Sequence, residues 1–180
     1  MRVFLDACVL FPTVMREMLI EVADLYEPLW SQAVLDEWQH SVSARLGPVA
    51  GEIARAEIAL LRARFPQALV LGEGAKDGAL AGVRLPDEGD RHVIAAAMGG
   101  QAELILTENR RDFPRRMLAP LGLEVRAPDE FLAALMRDHP DRVLEAARLV
   151  HQRAVDAGGE ITPRALFKRA GLPRLGRALG

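Results

Sequence analysis

Carboxylates hold the chemical interest of this 180-residue chain. In "LPDEGDRHVIAAAMGG", residues 85–100, Asp87, Glu88 and Asp90 crowd the entrance to an otherwise apolar, alanine-rich segment. Asp6 interrupts the apolar run "VFLDACVL", and Asn109 and Asp112 follow a second apolar run in "LILTENRRDFP". A carboxylate inside a strand buried on both faces costs several kcal/mol unless it reaches solvent, a donor or a cation. Acids gathered at strand ends repel one another unless a divalent cation compensates them, and oxygen donors with few histidines suit Mg²⁺ or Mn²⁺. Asp87 and Asp90, each taken alone, also suit the N-terminal cap of a helix, whose dipole favours negative charge. Glu37, in "LDEW", has Val34 and Ser41 as its i−3 and i+4 neighbours and points either to solvent or across the sheet edge. The four histidines lack zinc-ligand spacing, His92 reads as a helix residue rather than a base, and the single cysteine, Cys8, reads as a small hydrophobe.

The elements that must position these acids alternate. "VFLDACVL" reads as a buried strand, followed by a helix from Thr13. Ser31 caps an expected helix carrying Val34, Trp38 and Val42 on one face and ending at Gly47 and Pro48. Another helix is expected over residues 50–64, with Ile53, Ala56, Leu60 and Leu61 as its apolar stripe and Pro66 as its stop. "ALVLG", "AELILT" and "LEVRAP" read as short strands, and "DRHVIAAAMGG" as a helix with a glycine stop. Strands of nearly continuous apolar character alternating with helices imply a three-layer α/β/α domain with a mainly parallel central sheet. In such sheets sites form outside the carboxyl ends of the strands, which is where Asp6, Asn109 and Asp112 would fall. From Pro128 the chain reads as helical, with breaks at Pro140, Gly158-Gly159 and Pro173.

Hydrophobic residues make up 50% of the chain, enough for one compact domain with a small helical appendage. The lone cysteine excludes an internal disulfide framework and fits a reducing compartment. The N-terminal residues show no basic region before a long apolar run, and nowhere do eighteen uncharged apolar residues occur together, so neither secretion nor a membrane span is expected and the cytoplasm is the expected location. A net charge of −2 argues against coating nucleic acid by bulk electrostatics, although local patches can still bind phosphate. Arg91, Arg110, Arg111, Arg115 and Arg116 cluster beside the acids and suit phosphate contacts, or equally a solvated basic surface.

Taken in order, "VFLDACVLFP", "LDEW", "LPDEGDRHVIAAAM", "ILTENRRDFP" and "APDEFL" resemble the PIN-domain nucleases, especially the VapC-type toxins of bacterial toxin-antitoxin pairs. The resemblance covers residues 1–135, implying a PIN-like nuclease domain there and a C-terminal helical extension over residues 136–180. It implies Asp6, Glu37 and Asp90 as catalytic acids, with Asp112 as the fourth. Where the family commonly has an aspartate two residues after the threonine, this chain has Asn109, leaving Asp112 as the acidic candidate and Asn109 as a polar companion. Asp87 resembles an extra acid found in one subgroup, and Gly89 departs from the acid often found beside Asp90, which removes one negative charge.

The implied activity is hydrolysis of RNA phosphodiester bonds using water activated on Mg²⁺ or Mn²⁺. Asp6 and Asp90 would ligate the ion, Glu37, Asp112 and Asp87 would do so directly or through water, and Thr107 and Asn109 would orient water or phosphate. The choice of RNA, a homodimer and a small antitoxin protein as partner are likewise implied by the resemblance alone. Two rivals stand beside it. A haloacid-dehalogenase-like phosphatase also has an aspartate after its first strand, but needs a second acid where this chain has Cys8, and neither Lys76 nor Lys168 suits its chemistry. A catalytically degenerate PIN-like module would bind RNA or protein and keep its acids as helix caps.

Overall fold

The structure is a computed structural model, and it describes residues 1–71, 80 and 85–179. Gly72, the last residue of the expected "ALVLG" strand, and Lys76 lie outside the described residues. Five strands, β1 (Arg2–Leu5), β2 (Glu27–Ser31), β3 (Leu69–Val70), β4 (Leu104–Leu106) and β5 (Glu124–Arg126), form one sheet in the order β3-β2-β1-β4-β5. All four pairings are parallel, with Val3 beside both Pro28 and Leu104, Trp30 beside Leu69 and Ile105 beside Val125. Parallel pairing obliges the chain to cross over between strands, and it does so through helices that flank the sheet as outer layers. Central strands so covered must be apolar on both faces: Val3, Phe4, Leu5, Ile105 and Leu106 are wholly buried.

The first crossover carries α1 (Ala7–Leu10) and α2 (Thr13–Glu21), and the second carries α3 (Gln32–Leu46) and α4 (Pro48–Arg64). The third includes α5 (Arg91–Gly99), packed against β2 and β3, and the fourth α6 (Arg115–Leu118). The chain then runs through α7 (Pro128–Asp138), α8 (Pro140–Asp156), α9 (Pro163–Arg169) and α10 (Pro173–Ala178). Among the described residues no helix is long and apolar enough to cross a membrane.

Three elements differ from the sequence expectation. The "VFLDACVL" run is a strand only as far as Leu5, because the Asp6 carboxylate accepts from the Ala7 amide at 2.7 Å and turns "ACVL" into a helical turn. β2 was not expected at all: Pro28 supplies no ladder donor and ordinarily argues against an internal strand, yet this strand lies between β1 and β3. Of the stripe expected on α4 Leu61 alone is buried: Ile53 is 58% and Leu60 70% exposed, Ala56 is exposed as well, and the buried face is made by Gly51, Ala54 and Ile58 with Leu61. Gly51 decides this: a Cβ there would meet the Ser43 Cβ at 2.7 Å, so the side without a side chain is the one that seats α4 on α3.

Candidate active site at the switch point of the sheet

The strand order reverses between β1 and β4, since the chain leaves β1 toward β2 and β3 and returns on the other side to β4 and β5. Crevices outside the carboxyl ends of parallel strands open at such a point. Asp6 follows β1 and Thr107 follows β4, and the two side chains meet there: the Thr107 hydroxyl donates to Asp6 Oδ2 at 2.7 Å. Asp6 Oδ1 accepts from the Ala7 amide and Oδ2 also from Cys8 Sγ at 3.1 Å, so this 5%-exposed carboxylate takes three hydrogen bonds. A carboxylate has about four acceptor positions, and three bonds leave Oδ1 with capacity toward the crevice.

Thr107 is wholly buried and its oxygen accepts the Asn109 amide at 3.0 Å, while the Asn109 carbonyl accepts the Asp112 amide at 3.0 Å. This tight turn brings the half-buried Asp112 back toward the strand ends. From the other side come Asp87 and Asp90. Asp87 caps the 3₁₀ turn over Glu88–Asp90, its Oδ1 accepting the Gly89 amide at 2.8 Å. A Cβ on Gly89 would stand 3.0 Å from that oxygen, so the glycine gives the Asp87 carboxylate room to fold back. Asp90 closes the turn and leads into α5 without capping it by its side chain.

Asp90 is where these groups converge electrostatically. Its pKa is pushed up to about 6, first by partial desolvation and then by the negative charges of Asp6, Asp87, Asp112 and Glu37. Glu37 projects from α3 and is raised by desolvation and by Asp6, an effect opposed by His92. The residues expected as acids from the motifs are thus brought within electrostatic reach of one another, from β1, α3, the turn before α5 and the loop after β4. Among the described residues, no group of three His, Cys, Asp or Glu side chains is arranged closely enough to hold a metal ion.

Two further residues belong to the crevice. His92, in the first turn of α5, has Nδ1 2.7 Å from the Gly89 carbonyl, an acceptor, which requires the proton on Nδ1. Nε2 then faces Glu37 Oε2 at 3.9 Å, buried and without a hydrogen-bond partner among the described residues. Cys8 is more than a small hydrophobe: it bonds Asp6, lies 3.3 Å from the Thr107 hydroxyl and accepts the Glu108 amide. Burial, then the Asp6 charge, push the Cys8 thiol up to about 12, so it donates as a neutral S–H. Its sequence signal was the position two residues after Asp6, where a haloacid-dehalogenase-like phosphatase needs an acid. A neutral thiol bonded to Asp6 supplies no acid–base service of that kind.

The arginines divide. Arg91 is held within the fold, bonding Glu88 at 3.1 Å and the Leu80 carbonyl at 2.7 Å. Arg110 pairs with Glu130 at 3.2 Å. Arg111, Arg115 and Arg116 are exposed and form no salt bridge among the described residues.

Fold and site together define an all-parallel α/β protein with an acidic crevice at its topological switch point. Against known proteins, no family model and no solved structure matches. Over 84 residues the chain is 38% identical to a protein of Mycobacterium tuberculosis described as "Putative ribonuclease VapC50", covering 46% of this chain and 47% of that one. The match therefore spans about half the length of the curated relative.

Proposed function

We propose that this chain is a metal-dependent endoribonuclease of the VapC-like PIN type, acting as the toxin of a toxin-antitoxin pair. The observation that carries the reading is the convergence on Asp90 of four further carboxylates, which add to desolvation in pushing its pKa up to about 6. Hard oxygen donors under mutual repulsion fit Mg²⁺ or Mn²⁺, and Mg²⁺ commonly keeps several waters while using only one or two carboxylates, a demand compatible with donors too dispersed for a three-residue cage. The description of the mycobacterial relative as a ribonuclease supports RNA as substrate.

On this reading Asp6 and Asp90 hold the ion, and Glu37, Asp112 and Asp87 hold it directly or through water. A divalent ion bound there would supply activated water and charge neutralisation at the phosphate. The chain's own residues do the positioning. Thr107, Cys8 and the Ala7 amide fix the Asp6 carboxylate in one orientation, and the turn through Asn109 delivers Asp112. His92 stands beside Glu37 and offsets part of its negative surroundings. An antitoxin protein and a second copy of the chain complete the proposal as partners.

The test is a calorimetric titration with Mn²⁺ or Mg²⁺ on the natural protein and on Asp6→Asn, paired with cleavage of a labelled mixed RNA pool. The natural protein is expected to bind and cut, and the variant to do neither. A natural protein that does neither removes the nuclease reading and leaves a binding scaffold whose acids are helix caps, the alternative favoured by the dispersed donors and by Gly89.

A further inference from the structure

A second hollow, of about 550 Å³, lies beside the acidic crevice and has the opposite charge. Five arginines line it: Arg110 and Arg115 from the β4–α6 stretch, Arg126 from the edge strand β5, Arg137 from α7 and Arg174 from α10. Among the described residues only Glu124 and Glu130 oppose them, an excess there of three positive charges in a chain whose net charge is −2. Glu124 holds Arg126 in a two-pronged pair at 2.6 and 2.7 Å, and Glu130 is shared by Arg110 and Arg174 at 3.2 and 3.3 Å. These carboxylates fix three guanidiniums in place while leaving each with unused donors, since a guanidinium carries five. Arg115 and Arg137 are exposed and have no carboxylate partner among the described residues.

Concave placement of like charge focuses field and is costly to maintain without an anion. The planar fork of arginine matches phosphate oxygens two at a time. Phe113, which also lines the hollow, is 2% exposed and offers no ring face for stacking, so what is recognised here is a backbone and not a base. The hollow is also connected to the chemistry. Arg110 lines both it and the neighbouring depression formed by residues 108–112, which includes Asp112, one of the charges acting on Asp90.

We infer that this hollow is a phosphate-binding subsite for single-stranded RNA whose scissile bond lies at the acidic crevice, with β5, α7 and α10 supplying Arg126, Arg137 and Arg174. It rests on the ribonuclease reading of that crevice. The helical tail gains a purpose from it: α10 places Arg174 in the track of the substrate, beside Arg110 and Arg115.

The experiment measures affinity of the full chain, in EDTA so that nothing is cut, for a fluorescein-labelled twelve-nucleotide unstructured RNA across a range of salt. It compares the natural protein with an Arg115→Ala/Arg137→Ala double variant and an Arg148→Ala/Arg169→Ala control of equal charge change on α8 and α9. All four positions are exposed, and thermal melting verifies folding. The R115A/R137A protein is expected to bind at least tenfold more weakly at moderate salt. Its plot of log affinity against log salt should be shallower by about 1.4, at about 0.7 per phosphate contact on a single strand. The control should follow the natural protein.

Three results overturn the inference: equal slopes for R115A/R137A and the natural protein, an equal loss in the control, or no RNA binding by the natural protein. The first, with metal-dependent cleavage intact, leaves the ribonuclease reading standing and the hollow available to an acidic protein segment. Conversely, a loss confined to R115A/R137A in a protein that never cuts RNA sustains the subsite while the hydrolytic reading falls.

Discussion

Asp6 and Asp90 illustrate two opposite fates of a carboxylate at a strand end. Asp6 is almost wholly buried but accepts three hydrogen bonds, the arrangement by which protein donors replace lost water. Asp90 is less buried yet lacks a side-chain cap bond, and its pKa is raised to about 6 by desolvation and by its acidic neighbours. A carboxyl raised in the folded state binds its proton more tightly there than in the unfolded chain. Without metal, stability is therefore lost as pH climbs from about 4 through about 6, and the loss persists above that. Asp90→Asn removes the charge and keeps the size. In EDTA at pH 8 it should raise stability by roughly 1–2 kcal/mol once solvent screening is allowed for, and the gain should vanish near pH 4. Urea unfolding at the two pH values measures this, and an Asn variant no more stable than the natural protein at pH 8 would show that the acids do not strain Asp90.

At the scale of elements, the C-terminal helices depend on one side chain of "APDEFL". Asp129, in the first turn of α7 and 8% exposed, accepts the amides of Arg174 at 2.9 and 3.1 Å and of Leu175 at 3.3 Å. It thereby caps α10 from a distance, a service that Leu172, at the helix's own cap position, does not perform. Asp129→Ala should cost about 1.5–3 kcal/mol, the range for hydrogen bonds to a charged group. Amide exchange at Arg174 and Leu175 should speed up well before that of β1, and unchanged protection there would mean that α10 is seated by apolar packing of Leu175 alone. Such long-range capping has no sequence signature, whereas local capping does: Ser31 was read correctly because its hydroxyl accepts the Val34 amide only three residues on. The same distinction separates the other outcomes. β1 and β4 announced themselves as apolar runs and β5 fell within the short strand expected at "LEVRAP", while β2 was hidden by Pro28 and the outward face of α4 by the close approach of Gly51 to Ser43. Both depend on what lies across the interface.

At the scale of the whole molecule, the sheet order turns residues distant in sequence into neighbours. Asp6 and Thr107 stand 101 residues apart in sequence and share a hydrogen bond because β1 and β4 are adjacent at the reversal. Asp6, Asp87 and Asp90 could be placed from sequence because each sits beside an element boundary, whereas Glu37 lies inside α3 and its direction could not be read. Cys8 and His92 were not legible as site residues, because Cys8 also reaches Thr107 and the Glu108 amide about 100 positions away and His92 turns its Nε2 toward Glu37 on α3. If a cation compensates this crevice, it binds only the folded chain and must stabilise all of it by mass action, about 2.7 kcal/mol at one hundred times its Kd. That corresponds to a rise in Tm of about 5–10 °C for a chain of this size. The ion must displace the proton from Asp90, so affinity should fall with acid once pH drops below about 6, where that carboxyl is increasingly protonated. Melting with and without millimolar Mn²⁺ should therefore show a large shift at pH 8, little at pH 5, and none at either pH in Asp6→Asn. A shift of equal size at both pH values, or one retained by the variant, would place the ion elsewhere on the molecule and detach it from these acids.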